Sequence, residues 1–139
     1  MNTNCFDKEQ LHFAAQDGNL EEVKRLIKKG YPINEFDDDL GYTPLHYAAK
    51  EENIEIIKYL IQSGADVNAH DESRIGNTPL AEVAGNCSYE VANLLVEAGA
   101  DPNIRGWMQL NALDRAAKRK RDNGPKVYQL LLNAAKKCQ

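Results

Sequence analysis

The sequence predicts an all-α repeat solenoid: a stack of four helix-turn-helix units joined by projecting β-hairpin-like loops. Two observations carry this expectation. The heptapeptide Thr43-Pro44-Leu45-His46-Tyr47-Ala48-Ala49 returns as Thr78-Pro79-Leu80-Ala81-Glu82-Val83-Ala84, and fainter copies start at Glu9 and Asn111, so the starts are 34, 35 and 33 residues apart. Behind the first three copies runs an apolar stripe of helical period that ends at a glycine: Gly30, Gly64 and Gly99. A small unit repeated at this period cannot bury its apolar face alone and must stack on its neighbours.

Each element has a local reason. Thr43 and Thr78 are N-cap residues, and Pro44 and Pro79 follow at the first helical position, where a missing N–H costs nothing. A short first helix starts there, and its small residues (Ala14-Ala15, Ala48-Ala49, Ala116-Ala117) let neighbouring units approach closely. The second helix presents Leu20, Val23, Leu26 and Ile27 in the first unit. Ile54, Ile57, Leu60 and Ile61 do so in the second, and Tyr89, Ala92, Leu95 and Val96 in the third. The glycines that follow supply left-handed C-caps and release the chain into a finger. Cys87 is expected to begin the second helix of the third unit and to be structural.

The end units depart from the pattern. The first has Glu9-Gln10 instead of Thr-Pro, with Asp7 and Gln10 spaced as a capping box. The fourth has the alternative cap Asn111-Ala112-Leu113-Asp114 and closes on Asn133-Ala134-Ala135-Lys136-Lys137 without a C-capping glycine. Stacks need polar capping units. Residues 1–139 therefore read as one complete domain with units at about 7–40, 41–75, 76–106 and 107–139, the first and last being caps.

The Thr-Pro-Leu-His-x-Ala-Ala block, the run Asn53 to Ile61, and Gly64-Ala65-Asp66-Val67-Asn68-Ala69 together resemble the ankyrin repeat, and the resemblance covers nearly the whole chain. It implies a partner protein gripped by the finger tips and by the exposed end of the first helix. By position, these are Asp38, Asp39, Leu40 and Tyr42 in finger one, with Lys50 and Glu51 on its helix. Finger two supplies Arg74, Ile75 and Asn77, with Asn86 on its helix. Finger three supplies Trp107, Met108 and Leu110, with Lys118 and Arg119. Trp107 is the foremost candidate, because Trp, Tyr and Arg dominate binding hot spots. The sequence leaves a second placement open, with Trp107 folded back as core.

The fingers differ in length. Gly30 to Gly41 spans 11 positions and Gly64 to Gly76 spans 12, against 10 from Gly99 to Gln109, so Glu35 to Leu40 and His70 to Ile75 carry extra residues. Two more fall in Arg121-Asp122-Asn123-Gly124-Pro125. Such insertions gather on a binding face or drift in tolerant loop tips. Charge is uneven as well: residues 1–70 hold 13 acidic and 7 basic side chains, and residues 71–139 hold 8 and 10. The acidic run Glu35-Phe36-Asp37-Asp38-Asp39 is expected to project from finger one, either to steer a basic partner or as a solvated loop.

Most chemistry is excluded. His12 and His46 share one repeat position whose counterparts are Ala81 and Asp114, and the resemblance assigns them to local hydrogen bonding. His70-Asp71-Glu72 is too thin for a metal site. Phosphate-binding glycine loops and nucleophile elbows are absent. The basic run Lys118-Arg119-Lys120-Arg121 lacks the interleaved aromatics that stack bases, and it suits a helix C-terminus. Three cysteines fit reduced thiols, and neither a signal peptide nor a membrane-length apolar run is visible.

The expectation is a cytoplasmic, monomeric, non-enzymatic binding module without cofactor, metal, nucleic-acid or membrane partner. Residues 76–117, with Gly76-Asn77-Thr78 and Arg105-Gly106-Trp107-Met108-Gln109-Leu110, also resemble short bacterial ankyrin proteins, some of which are immunity partners of secreted toxins. That resemblance implies occlusion of a toxin or another enzyme. The alternative is an adaptor bridging two proteins.

Overall fold

A computed structural model describes residues 9–119 and 124–138. Eight α-helices occur among them: α1 (Gln10–Asp17), α2 (Leu20–Lys28), α3 (Pro44–Lys50), α4 (Ile54–Gln62), α5 (Pro79–Val83), α6 (Tyr89–Glu97), α7 (Ala112–Ala117) and α8 (Gly124–Lys137). They pair as α1–α2, α3–α4, α5–α6 and α7–α8. The odd-numbered helices contact one another along one row, and the even-numbered helices form a second row behind them. Between the rows lies one apolar core that includes Leu11, Leu26, Leu45, Ile57, Leu80, Leu95 and Leu131.

Local chemistry sets these boundaries. Asn19, Asn53 and Ser88 cap α2, α4 and α6, each side-chain oxygen accepting from the backbone N–H three residues on at 3.1, 3.1 and 3.2 Å. Thr78 Oγ1 does the same for Ala81 at 3.1 Å, and Asn111 and Asp114 form a reciprocal capping box at 2.8 and 3.0 Å. At the other end of each second helix, Tyr31, Ala65 and Ala100 N–H groups reach back to Leu26, Leu60 and Leu95 carbonyls at 3.1, 3.0 and 3.0 Å. This six-to-one bond needs a left-handed residue just before it, which Gly30, Gly64 and Gly99 provide at φ +97°, +102° and +101°.

An asparagine ladder ties the units together edge to edge. Asn34 Oδ1 accepts from Asp66 N at 2.8 Å, Asn68 Oδ1 accepts from Asp101 N at 2.7 Å, and Asn103 Nδ2 donates to the Ala135 carbonyl at 3.1 Å. Each asparagine stands four residues past a C-capping glycine.

Two expectations change, at Tyr89 and at Cys87. Tyr89 is exposed at the first residue of α6, and Val91 takes its place in the core beside Ala92 and Leu95. Cys87 precedes the Ser88 cap and does not open the helix; burial pushes its thiol pKa up, against the pull of Arg119. Asp7, of the expected capping box, lies outside the described residues; Glu9, at the N-cap of α1, accepts from Asp38 N at 2.8 Å. The fingers are hairpin-like loops as expected, with no strand among the described residues. Finger one closes through Asp37 N to Tyr42 O at 2.8 Å and finger three through Gly106 N to Leu110 O at 3.0 Å. No helix among the described residues is long and apolar enough to cross a membrane.

Candidate protein-binding surface

Finger one is organised from within. Asp37, expected to project with its acidic neighbours, is buried, because its Oδ1 accepts three backbone N–H groups, from Leu40, Gly41 and Tyr42, at 3.0, 2.9 and 3.0 Å. Its Oδ2 accepts from the Tyr47 hydroxyl. Burial opposes the charge, but the Tyr47 hydroxyl and the backbone donors outweigh it and hold the carboxyl below its ordinary range. Only Asp38 and Asp39 of the run are exposed at the tip.

Behind finger one lies an aromatic and polar cluster. Tyr42 stacks on His46 with ring centroids 4.9 Å apart and sends its hydroxyl to Glu82 Oε1. His46 Nδ1 takes the Thr43 backbone N–H at 3.0 Å, so the network places the ring proton on Nε2, which donates to the Asn77 carbonyl at 2.7 Å. Burial pushes this imidazole down to about 4, which keeps it neutral near pH 7. His46 thus completes a local cap and spans to finger two. His12 spans similarly to the Glu35 carbonyl at 2.7 Å, and burial lowers its pKa too.

Two predicted contact residues belong to this interior. Tyr42 is 3% and Asn77 4% exposed, so neither is available to a partner. Both positions carry interior hydrogen bonds, Tyr42 to Glu82 and Asn77 Nδ2 to the same oxygen at 3.0 Å. Arg119 is half-buried and caps the end of α5, donating to the Ala84 and Cys87 carbonyls at 3.0 and 2.7 Å. Lys118 is exposed, and Lys120 and Arg121 lie outside the described residues. Lys50 is exposed over the Tyr42 ring, with Nζ 5.2 Å from its centroid, while Glu51 and Asn86 are exposed on the helix ends. Leu40 and Leu110 are half-buried.

Arg74 locks fingers one and two together. Its Nη1 donates to the Asp38 and Asp39 carbonyls, and its Nε lies 3.8 Å from Asp71 Oδ2. Gly41 makes the closure possible: a Cβ there would lie 2.9 Å from the Cβ of Asp71.

Finger three is a strained turn. Met108 and Gln109 both adopt left-handed backbone, at φ +59° and +61°, and Gln109 stands where the first two fingers have the left-handed glycines Gly41 and Gly76. Each such residue costs about 1–2 kcal/mol relative to its preferred backbone. The surroundings enforce the turn. Trp107 N donates to Asn77 Oδ1 at 2.9 Å, Arg105 Nη1 to the Gln109 carbonyl at 2.7 Å, and Arg115 Nη2 to the Trp107 carbonyl at 3.1 Å. The turn presents Trp107 and Met108 outward, 55% and 73% exposed, which settles the placement of the tryptophan against core.

Between fingers two and three opens a cleft of about 600 Å³, lined by Arg74, Ile75, Ile104, Arg105, Trp107 and Met108 among others. Of the predicted contacts, it unites Arg74, Ile75, Trp107 and Met108; Ile104, Arg105 and His70 join them unforeseen. Their signal in the sequence was weak, since isoleucine and arginine in a loop match no motif. The asparagine ladder had a signal, the recurrence of Asn four residues after each glycine. Among the described residues no group of three or more His, Cys, Asp and Glu side chains is placed to hold a metal ion. Among the described residues His70 Nε2 pairs with Glu72, at 3.4 Å, and Asp71 turns to Ser73 and Arg74.

Paired helices in two rows, with hydrogen-bonded fingers along one edge, define a repeat scaffold that displays loops to another protein. The chain belongs to the ankyrin-repeat family: the family model "Ankyrin repeats (3 copies)" matches residues 1–71 and "Ankyrin repeat" matches residues 75–107. Among curated proteins no match is found. As an ankyrin-repeat protein, the chain is a protein–protein interaction module.

Proposed function

We propose that this protein binds its partner through the tips of fingers two and three and the adjoining ends of the first helices, as a non-enzymatic, monomeric, cytoplasmic inhibitor of the immunity type. The observation that carries the proposal is the pairing of Trp107 and Met108. Two large apolar side chains are held outward on a turn that costs energy to form, beside a cleft with Arg74 and Ile75. Strain is kept where a site must be preorganised, and an ordered Trp loses little entropy on binding. The four units pack in one continuous stack, which supports presentation of the fingers together. The resemblance of residues 76–117 to short bacterial ankyrin proteins supports inhibition by occlusion. Lys50, Glu51, Asn86 and Lys118 then form a polar rim, and Asp38 and Asp39 a steering acidic edge.

The test is affinity capture from the native cell, comparing the wild-type chain with a Trp107→Ala, Met108→Ala double variant. The expected result is a tight binary complex with the wild type and at least tenfold weaker retention by the double variant, whose denaturation midpoint is unchanged. A folded double variant that binds unchanged would overturn the proposal. Recovery of a ternary assembly would favour the adaptor reading instead.

A further inference from the structure

We infer that the cleft between fingers two and three receives a partner segment in which a bulky apolar side chain is followed or preceded, within two positions, by an aspartate or glutamate. The inference rests on the binding surface proposed above and specifies its ligand.

The apolar part of the lining is supplied by Ile75 from finger two and by Ile104, Trp107 and Met108 from finger three. The charged half is basic in excess. Arg74 and Arg105 line the cleft, and Glu72 is the one carboxylate among the described lining residues. Each arginine is held in place by part of its guanidinium: Arg105 leaves its Nε and Nη2 available, and Arg74 leaves Nη2. Arg105 spends Nη1 on the Gln109 carbonyl, with Asp114 Oδ2 at 3.6 Å, and its Nε and Nη2 have no acceptor among the described residues. Arg74 spends Nη1 on finger one and approaches Asp71 through Nε, and its Nη2 likewise has no acceptor. A guanidinium with a fixed stem and an unused edge matches a carboxylate, and its orientation is already settled before binding. Glu72 pairs with His70, at 3.4 Å, and its charge remains in the cleft as the one a bound carboxylate would meet. Finger one makes a poor second candidate for the same ligand, because Asp38 and Asp39 repel a carboxylate there.

The experiment selects peptides from a random phage-displayed heptapeptide library on the full chain and measures the winners by titration calorimetry. The chain's one tryptophan is Trp107, so its fluorescence reports cleft occupancy directly. Recovered peptides should carry the apolar–acidic pair, quench or shift Trp107, and lose at least tenfold in affinity when the acid is replaced by its amide. Glu72→Gln, which removes the competing carboxylate without touching the turn, should tighten the acidic peptide several-fold and leave its amide twin unchanged. Arg105→Gln should narrow the difference between the acid and amide twins at least several-fold. Equal binding of the twins by the wild type, or selection of no cleft-binding peptide, would overturn the inference while leaving the proposed surface standing. Winners that bind the Trp107→Ala, Met108→Ala variant as tightly as the wild type would overturn the surface itself.

Discussion

The joint between fingers one and two is closed, and the joint between fingers two and three is open at the tips. At the first joint, Arg74 reaches across to two carbonyls of finger one, His46 donates to finger two, and Asp37 gathers three N–H groups beneath. The second joint touches at its base, where a Cβ on Gly106 would fall 2.2 Å from Asn77 Oδ1, and then parts to leave the cleft. The histidine position offers the second joint nothing, since Ala81 occupies it. Polar side chains in this stack thus do opposite work at neighbouring joints. The first set neutralises and seals, and the second fixes a turn that holds apolar side chains in water.

Acidification should break the closed joint, and it is the largest effect expected. His46 is buried neutral with its pKa pushed down to about 4 from an unfolded value near 6.5. Its contribution is complete above pH 6.5 and is lost as pH falls toward 4, by up to about 3 kcal/mol. His12 is shifted the same way and adds to the loss. Asp37, held below its ordinary range, is protonated only at still lower pH and then acts in the same direction. Urea denaturation of the wild type and of His46→Gln between pH 7.5 and 4.5 checks this: the wild-type slope should be clearly steeper, and parallel curves would refute the assignment.

Removing the organiser of finger one should cost somewhat less. Asp37→Ala leaves three backbone N–H groups and the Tyr47 hydroxyl without their acceptor and should destabilise the fold by about 2 kcal/mol. Hydrogen exchange gives the sharper reading. The amides of Leu40, Gly41 and Tyr42 should lose protection while those of Gln109 and Leu110 keep theirs. Loss at both fingers would mean that the joints are not independent.

The smallest effect should have the opposite sign. Gln109→Gly relieves one left-handed residue and should stabilise the chain by about 1 kcal/mol in denaturant titration. If stability falls instead, the side chain of Gln109 contributes to the turn and strain is not its main cost.

The stack was legible because it is repeated: the caps at Thr78 and Asn111, the glycines at 30, 64 and 99, and most of the apolar stripes are dictated by neighbours within one helical turn. The partner surface was legible only in part. Trp107 and Met108 stood out by composition, yet Tyr42, Asn77 and Arg119 turned inward, because their hydrogen-bond acceptors lie between 5 and 40 residues away. Asp37 was misread for the same reason, as nothing in an acidic run distinguishes the member that turns inward to gather the finger's N–H groups.

By itself the sequence determined the repeat, its register, and most of the helix starts and stops, since capping and amphipathic periodicity act over short stretches of chain. Only the tertiary structure decided which finger joint closes and which stays open. That choice depends on Gly41, Gly106, Arg74 and Asn77 meeting residues from other units, at distances that no local pattern encodes.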